Sequence, residues 1–164
     1  MLPYSPIVLE SGGYFGEDTI RIKHIFPDAE VHVFEPLPSS FEVMEKETEN
    51  LSDVIRYPYA LTNYSGKIPF LLLVVLHWNE HAFDKTPIQV PCVTINDWAT
   101  KNNISHIDFM WLDMEGNELC VLQKSLDILH TVKAIYTEIS FCKIRETSCK
   151  YIYLKAFLKR HGFH

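Results

Sequence analysis

Acidic side chains recur in this sequence near the points where short apolar runs end. Three separate runs end at, or are followed by, Glu10, Glu35 and Glu138. A fourth run is followed by both Asp113 and Glu115. A carboxylate can accept hydrogen bonds from ligand hydroxyls, attract a cation or remove a proton as a general base. If the runs are parallel strands, their carboxyl ends meet at one edge of a sheet, where ligands bind. The acids therefore predict a ligand site at that edge.

The first acid opens a glycine-rich segment, residues 10–19, with the sequence Glu-Ser-Gly-Gly-Tyr-Phe-Gly-Glu-Asp-Thr. Gly12, Gly13 and Gly16 allow a backbone to turn tightly and to come close to a ligand. The dinucleotide pattern G-x-G-x-x-G would need a glycine at position 11, where Ser11 stands. The glycines alone therefore do not distinguish a nicotinamide or flavin cofactor from another ligand.

The charges of this segment distinguish between ligands better than its glycines do. Glu17 and Asp18 fall in the first turn of the predicted helix, whereas a bound pyrophosphate needs a helix terminus free of anions. S-adenosylmethionine carries an ammonium and a sulfonium, which Glu10 and Asp18 could attract. For Glu17 and Asp18 alone, complementing the helix dipole is an equally good explanation.

The second and third apolar runs complete the predicted cofactor site. Glu35 ends the second run and is followed by Pro36. A carboxylate there can accept hydrogen bonds from both ribose hydroxyls of an adenosine, as it does in NAD enzymes. Tyr59, Ala60 and Leu61 end the third run, at the position where an adenine ring would lie.

Hydrophobic periodicity predicts the elements that hold these residues. Strands are expected over residues 7–9, 31–34, 54–61, 107–112 and 132–141, with extended segments at 68–76 and 88–95. Five helices are expected. The first ends before Pro27, the second is capped by Ser39 or Ser40, the third is capped by Asn96, and the last two cover residues 119–129 and 151–160. This alternation predicts an α/β fold: a Rossmann-like, doubly wound, mostly parallel sheet with helices on both faces.

Length and composition limit the class of protein. The chain has 164 residues, the size of one domain, and its net charge of −6 argues against a nucleic-acid partner. The longest apolar run, residues 70–76, is too short to span a membrane, and no signal peptide is visible. The four cysteines are far apart and form no C-x-x-C pair, which indicates reduced thiols in a cytoplasmic protein.

Six segments of the chain stand in the order of a known family's motifs. They are Val8-Leu-Glu-x-Gly-Gly-x-x-Gly-x-x-Thr19, Val33-Phe-Glu-Pro36, Ala60-Leu-x-Asn-x-x-Gly66, Val93-Thr-Ile-Asn-Asp-Trp98, Ile107-Asp-Phe-x-Trp-Leu-Asp-Met-Glu-Gly-Asn-Glu118 and Thr137-Glu138. Together they resemble the FkbM-type methyltransferases, a class I group associated with O-methylation of sugars and natural products. The Asp-x-Glu-Gly-x-Glu block is the most specific of these motifs, and the glycine loop is the least specific.

The resemblance implies an S-adenosylmethionine-dependent methyltransferase that acts on a small-molecule acceptor, at a hydroxyl of a sugar or natural-product-like compound. Asp113 and Glu115 would face the transferred methyl group, and Glu138 would add a third carboxylate from the neighbouring strand. The implied cofactor-binding residues are Glu10, Gly12, Gly13, Gly16, Asp18, Thr19, Glu35, Pro36, Ala60 and Leu61.

The carboxylates that follow residues 107–112 have three possible roles. Asp113 is the first choice for a general base that takes the proton of the acceptor hydroxyl. Glu115 points the same way if the strand geometry continues, so the pair could instead hold Mg²⁺, with Glu138 adding an oxygen. Both acids could also cap the helix that begins near Asn117.

Three departures from the family pattern leave rival hypotheses open. The chain begins at its first strand, without the N-terminal helices that often lie over the cofactor, and it stops where the last C-terminal strands of the family would start, so we expect those elements to be missing. Residues 71–76 are apolar where relatives carry a polar loop. A non-catalytic domain that keeps the cofactor site is one rival, and an NAD-dependent oxidoreductase, disfavoured by Ser11, is another.

One motif points to a different chemistry. His77-Trp-Asn-Glu-His81 matches the H-x-x-E-H pattern of some zinc peptidases. A zinc site needs a third ligand and a helical segment, and the remaining chain does not supply the architecture of a protease. We therefore expect no metal site at these residues.

Overall fold

A five-stranded parallel sheet lies at the centre of the fold in the computed structural model, which describes residues 1–70, 87–114, 116–139 and 151–164. The elements are β1 (Ile7–Ser11), α1 (Glu17–Ile25), β2 (Glu30–Phe34), α2 (Pro38–Glu47), β3 (Val54–Tyr57), β4 (Ala60–Leu61), β5 (Gly66–Phe70), β6 (Ile88–Val93), α3 (Ile95–Lys101), β7 (Phe109–Leu112), α4 (Glu118–Leu122), α5 (Leu126–Leu129), β8 (Ala134–Thr137) and α6 (Tyr151–Arg160). The main sheet has the order β3-β2-β1-β7-β8, and a smaller sheet has the order β4-β6-β5.

Neighbouring side chains of each strand point to opposite faces of the main sheet, and helices bury both faces. On the first face, Val8 and Val33 lie in one hydrophobic cluster with Ile22 of α1 and Met44 of α2. All four side chains are 0 or 1% exposed. This face of the core is therefore closed by α1 and α2.

The second face of the sheet carries a larger cluster. Leu9 and Phe34 lie there with Trp98 of α3, Leu122 of α4 and Leu154 of α6. Strand residues that alternate between two such clusters are typical of a sheet that is covered on both sides. The predicted doubly wound, mostly parallel α/β fold is confirmed.

The predicted strand over residues 54–61 is wrong in its second half. The strand β3 ends at Tyr57, whereas Ala60 and Leu61 pair with β6 in the smaller sheet. The strand β2 ends at Phe34, which pairs with Tyr57, so β3 has no neighbouring strand beyond Tyr57. The chain therefore leaves the main sheet and forms β4 in the smaller sheet.

The predicted cap of α2 is also wrong. Ser39 and Ser40 lie inside the first turn, and the helix starts after Leu37 with Pro38 as its first residue. Proline suits this position because its fixed φ is helical and the amide that it lacks would have no helical partner. The sequence prediction overlooked this alternative start.

Two further helix predictions need correction. The cap of α3 is Thr94 instead of Asn96, and its side-chain oxygen accepts the backbone N–H of Asp97 at 3.0 Å. The single helix expected over residues 119–129 is divided into α4 and α5. Backbone hydrogen bonds across three residues tighten the turn at positions 124 and 125 and interrupt the helix.

Asp108 holds the amino ends of the strands together, at the edge of the sheet opposite the predicted ligand site. Its carboxylate is 2% exposed and accepts the backbone N–H of Ile7 at 3.0 Å and the ammonium of Lys133 at 2.7 Å. Burial alone would raise the pKa of Asp108, but Lys133, the amide of Ile7 and nearby His106 together hold that pKa below its usual value. No helix within the described ranges is long and apolar enough to cross a bilayer.

Candidate active site

The carboxyl ends of β1 and β7 are held together at one edge of the main sheet by a hydrogen bond and a close backbone contact. The backbone N–H of Asp113 donates to the carbonyl of Ser11 at 2.9 Å. A Cβ atom at Gly12 would lie only 2.2 Å from the carbonyl oxygen of Asp113, and Gly12 has a φ of +90°. The glycine loop can therefore approach Asp113 this closely only because residue 12 has no side chain.

The other two loop glycines also make room for neighbouring parts of the protein. A Cβ atom at Gly13 would lie 2.5 Å from side-chain atoms of both Met44 and Val33. At Gly16, where φ is +93°, a Cβ atom would lie 2.7 Å from the side chain of Thr48. Internal packing is thus sufficient to require these glycines, and their predicted contact with a cofactor stays a prediction.

Glu10 is a buried acid with one unsatisfied oxygen. The residue is 0% exposed, and its Oε2 accepts the hydroxyl of Thr19 at 2.7 Å. Its Oε1 has no hydrogen-bond partner among the described residues. Burial raises the pKa of Glu10 from 4.5 to about 8, the Thr19 hydroxyl opposes that rise, and the charge of Asp18 adds to it. The group is therefore mostly protonated at neutral pH.

Glu35 is fixed by two backbone amides. Its Oε2 accepts the N–H of Tyr14 in the glycine loop, and its Oε1 accepts the N–H of Leu37 beyond Pro36, both at 2.8 Å. Burial raises the pKa of this carboxyl, and the two amides partly offset the rise. Tyr14 has a φ of 44°, an unusual value for a side-chain-bearing residue. Glu35 thus holds the loop, while each of its oxygens retains a second lone pair.

The remaining predicted cofactor residues have different surroundings. Asp18 forms an exposed ion pair with Arg21, with 2.6 Å between the carboxylate and the guanidinium. Ala60 and Leu61 are 6% and 4% exposed within the smaller sheet. The structure therefore brings Glu10 and Glu35 to the loop, whereas Asp18 already has a cationic partner.

A cavity of about 300 Å³ lies beside β3. Tyr57, Tyr59 and Trp98 contribute to its lining, and the rings of Tyr57 and Tyr59 are 6.4 Å apart. The backbone N–H of Glu35 donates to the carbonyl of Tyr57 at 3.1 Å, but Glu35 is not among the residues that line the cavity. Tyr59 was expected near an adenine ring, whereas Tyr57 was not identified from the sequence.

The predicted catalytic carboxylates are only partly described. Asp113 is half-buried at the end of β7, and Glu138 is exposed after β8, with its backbone N–H 3.3 Å from the carbonyl of Leu112. Glu115 and the His77–His81 pattern lie outside the described residues. Within the described ranges, no three His, Cys, Asp or Glu side chains gather as metal ligands. The Mg²⁺ alternative is therefore not supported.

Sequence reasoning missed the part that Glu118 plays in this region. Glu118 is 3% exposed, and its Oε1 accepts the backbone N–H groups of Met114 and Gly116 at 3.0 and 3.2 Å. The only available signal was its place as the last acid of the Asp-x-Glu-Gly-x-Glu block. The sequence placed this acid in a motif but gave it no function.

A parallel, doubly wound sheet with a glycine loop and acids at its carboxyl edge defines a Rossmann-like ligand-binding fold. The methyltransferase FkbM domain family matches residues 10–164, and the chain belongs to this family. The resemblance inferred from the motifs is confirmed.

The chain is also similar to one characterised protein and to two solved structures. The chain is 24% identical over 154 residues to the 2-O-methyltransferase NoeI of Sinorhizobium fredii (strain NBRC 101917 / NGR234), in a match that covers 82% of this chain and 63% of the relative. The chain thus spans less than two thirds of that relative's length. The crystal structure of the fibrillarin/Nop5p complex aligns with a TM-score of 0.58 and 12% identity, over 98% of this chain and 62% of the other, and supports the fold. Coclaurine N-methyltransferase bound to N-methylheliamine and SAH aligns with a TM-score of 0.43 and 14% identity, over 83% and 31%.

Replacement of Gly12 tests the close backbone contact between the glycine loop and Asp113. Gly162 is a matched control, because its φ of +91° is similar but a Cβ atom added there would meet no atom within 4 Å. Both substitutions to alanine incur the left-handed backbone penalty of about 1–2 kcal/mol, but only Gly12→Ala also creates a clash, worth roughly 1–3 kcal/mol. Urea denaturation should show the larger loss for Gly12→Ala. Equal losses of unfolding free energy in Gly12→Ala and Gly162→Ala would contradict the close contact between Gly12 and Asp113.

Glu10 should make the stability of the protein depend on pH. Its pKa is about 8 in the folded state and close to 4.5 in the unfolded chain, so the folded state holds more protons between these values. The stabilisation is complete below pH 4.5 and is lost as pH rises through 8. Urea denaturation from pH 5 to 9 should show this decline in the wild type and in the exposed control Glu17→Gln. In Glu10→Gln the decline should be smaller, with the contribution of Glu35, whose pKa burial also raises, still present. An unchanged decline there would refute the assignment.

Proposed function

We propose that this member of the family is an S-adenosylmethionine-dependent methyltransferase that acts on a hydroxyl of a sugar or small natural-product-like acceptor. The observation that carries the proposal is the buried carboxyl of Glu10, whose Oε1 lacks a partner among the described residues, at the strand end that leads into the glycine loop. Buried polar groups are normally hydrogen-bonded, so an orphan oxygen at a ligand edge is an acceptor available to a ligand.

The residues present fit the proposed cofactor. Glu10 offers an acceptor, and a carboxylate when ionised, to a cationic ligand. Glu35 is held rigidly by Tyr14 and Leu37 and can still accept hydrogen bonds from two ribose hydroxyls. The cavity lined by Tyr57, Tyr59 and Trp98 offers aromatic faces to an adenine ring. When bound, the cofactor supplies an electrophilic methyl group.

Asp113 is the proposed general base. Methyl transfer to a hydroxyl forms a new carbon–oxygen bond, so the acceptor must release its proton, and a positioned carboxylate can take it. Asp113 is half-buried and lies against Gly12 at the edge where the proposed cofactor would bind. Glu115 and Glu138 are proposed to help orient the acceptor, since positioning supplies much of the catalysis of such a displacement.

The acceptor class is proposed from chemistry and from a relative. NoeI is, by its name, a 2-O-methyltransferase, which favours oxygen as the atom that is methylated. A base at Asp113 also suits a hydroxyl, because a hydroxyl is a weak nucleophile until its proton is removed. A hydroxyl on a sugar or a related small molecule is therefore our proposed acceptor.

Cofactor binding is the first test of this function. Titration calorimetry should detect S-adenosylhomocysteine and much weaker NAD binding. Glu35→Ala should weaken S-adenosylhomocysteine binding by about 1.5–3 kcal/mol, because it removes a charged hydrogen-bond acceptor. Glu35→Gln keeps an acceptor and should lose less, and Glu47→Ala, an exposed acid on α2, should bind normally. NAD affinity equal to that for S-adenosylhomocysteine would refute the proposal.

Asp113→Asn is the test of turnover. The variant keeps the shape and hydrogen-bonding capacity of Asp113 but loses its basicity, so S-adenosylhomocysteine should bind nearly as in the wild type. The rate of methyl transfer should fall by about 10²–10⁴, the usual contribution of a positioned base. A variant that melts at lower temperature but retains its rate per folded molecule would make Asp113 structural only. Cofactor binding without turnover on a panel of sugar and phenolic hydroxyls would indicate a non-catalytic domain.

A further inference from the structure

We propose that Glu118 is a positioning residue that fixes Asp113 against the glycine loop; this inference rests on the proposed function of Asp113. Glu118 is the first residue of α4 and follows the loop that leaves β7. It does not need to touch a ligand for this role. Its effect passes through the backbone of the loop.

One carboxylate oxygen accepts two backbone amides of the loop. The Oε1 of Glu118 accepts the N–H of Met114 at 3.0 Å and the N–H of Gly116 at 3.2 Å. Gly116 has a φ of +95°, a left-handed conformation that glycine adopts without steric cost. The two amides converge on Glu118 because the chain turns back at Gly116.

Glu118 and the loop amides depend on each other, because Glu118 is buried without a cationic partner among the described residues. Glu118 is 3% exposed, and no Lys, Arg or His pairs with it among the ion pairs of the described chain. A buried carboxylate without a cation needs hydrogen-bond donors, and the loop amides supply them. A loop that moved away would leave this carboxylate unsatisfied, so Glu118 and the loop stabilise each other.

Asp113 is consequently held from both sides. Its own N–H is fixed on the carbonyl of Ser11 at 2.9 Å, and the next amide, that of Met114, is fixed on Glu118. Its carbonyl lies against Gly12, where there is no space for a side chain. A base misplaced by about 1 Å can lose on the order of 10²-fold in rate, so this double attachment bears directly on the proposed reaction.

Two substitutions at Glu118 and one control test the proposal. Glu118→Ala removes the acceptor, whereas Glu118→Gln keeps a carbonyl oxygen for Met114 and Gly116. Asp108→Ala removes another buried acid that holds a backbone amide, but at the opposite edge of the sheet. Three measurements apply to each variant: kcat with KM, the Kd of S-adenosylhomocysteine by calorimetry, and the amide hydrogen exchange of Asp113, Met114 and Gly116.

We expect Glu118→Ala to lower kcat about 10- to 100-fold with the Kd changed less than about threefold, and to accelerate exchange at all three amides. Glu118→Gln should recover most of kcat and of the protection. Asp108→Ala should lower the melting temperature with normal kcat per folded molecule. A wild-type kcat in folded Glu118→Ala would overturn the proposal. If the wild type shows no turnover, the proposed function fails, yet unchanged exchange at Asp113 in Glu118→Ala would still independently refute positioning.

Discussion

The close backbone contact between Gly12 and Asp113 is the constraint on which the rest of the candidate site depends. It joins the ends of two neighbouring strands, β1 and β7, that lie far apart in the sequence. The space between them is too small for a methyl group, so the loop and the acid share one geometry. Around this contact, Glu35 holds the loop through Tyr14, and Glu118 holds the chain beyond Asp113. Two buried acids, Glu35 and Glu118, thus accept backbone amides on either side of the contact between Gly12 and Asp113.

The sequence predicted the sheet and the position of its acids, because alternation and apolar runs report burial directly. It failed where the outcome depends on a neighbour that is distant in the chain. The predicted strand through residues 54–61 is shorter because its partner β2 ends at Phe34, opposite Tyr57, and Ala60 and Leu61 pair with β6 instead. The role of Glu118 was invisible, since it depends on which amides a loop turns inward. Gly12 was singled out as a contact of the cofactor, which stays a prediction, and its close approach to Asp113 could be seen only in three dimensions.

The two buried acids near the loop, Glu10 and Glu35, have different characters despite their similar burial. Glu35 accepts one backbone amide on each oxygen, so its carboxyl is oriented before any ligand arrives. Glu10 accepts one hydroxyl, from Thr19, and has an oxygen without a partner among the described residues. Orientation without reorganisation is what a binding group needs for affinity. The same fold therefore presents one fixed acceptor and one that is incompletely satisfied.

The state of Glu10 has a consequence for how the site would select its ligand. A carboxyl with a pKa of about 8 carries a proton, and no charge, in most molecules at neutral pH. A cation at this carboxyl and the proton compete for the same group, so a cationic ligand would displace the proton into solvent as it binds. Its affinity would then increase as the solution becomes more alkaline. An anionic ligand would require the proton to stay, and its affinity would change in the opposite direction. Proton release on binding would therefore report the sign of the charge that the site accepts.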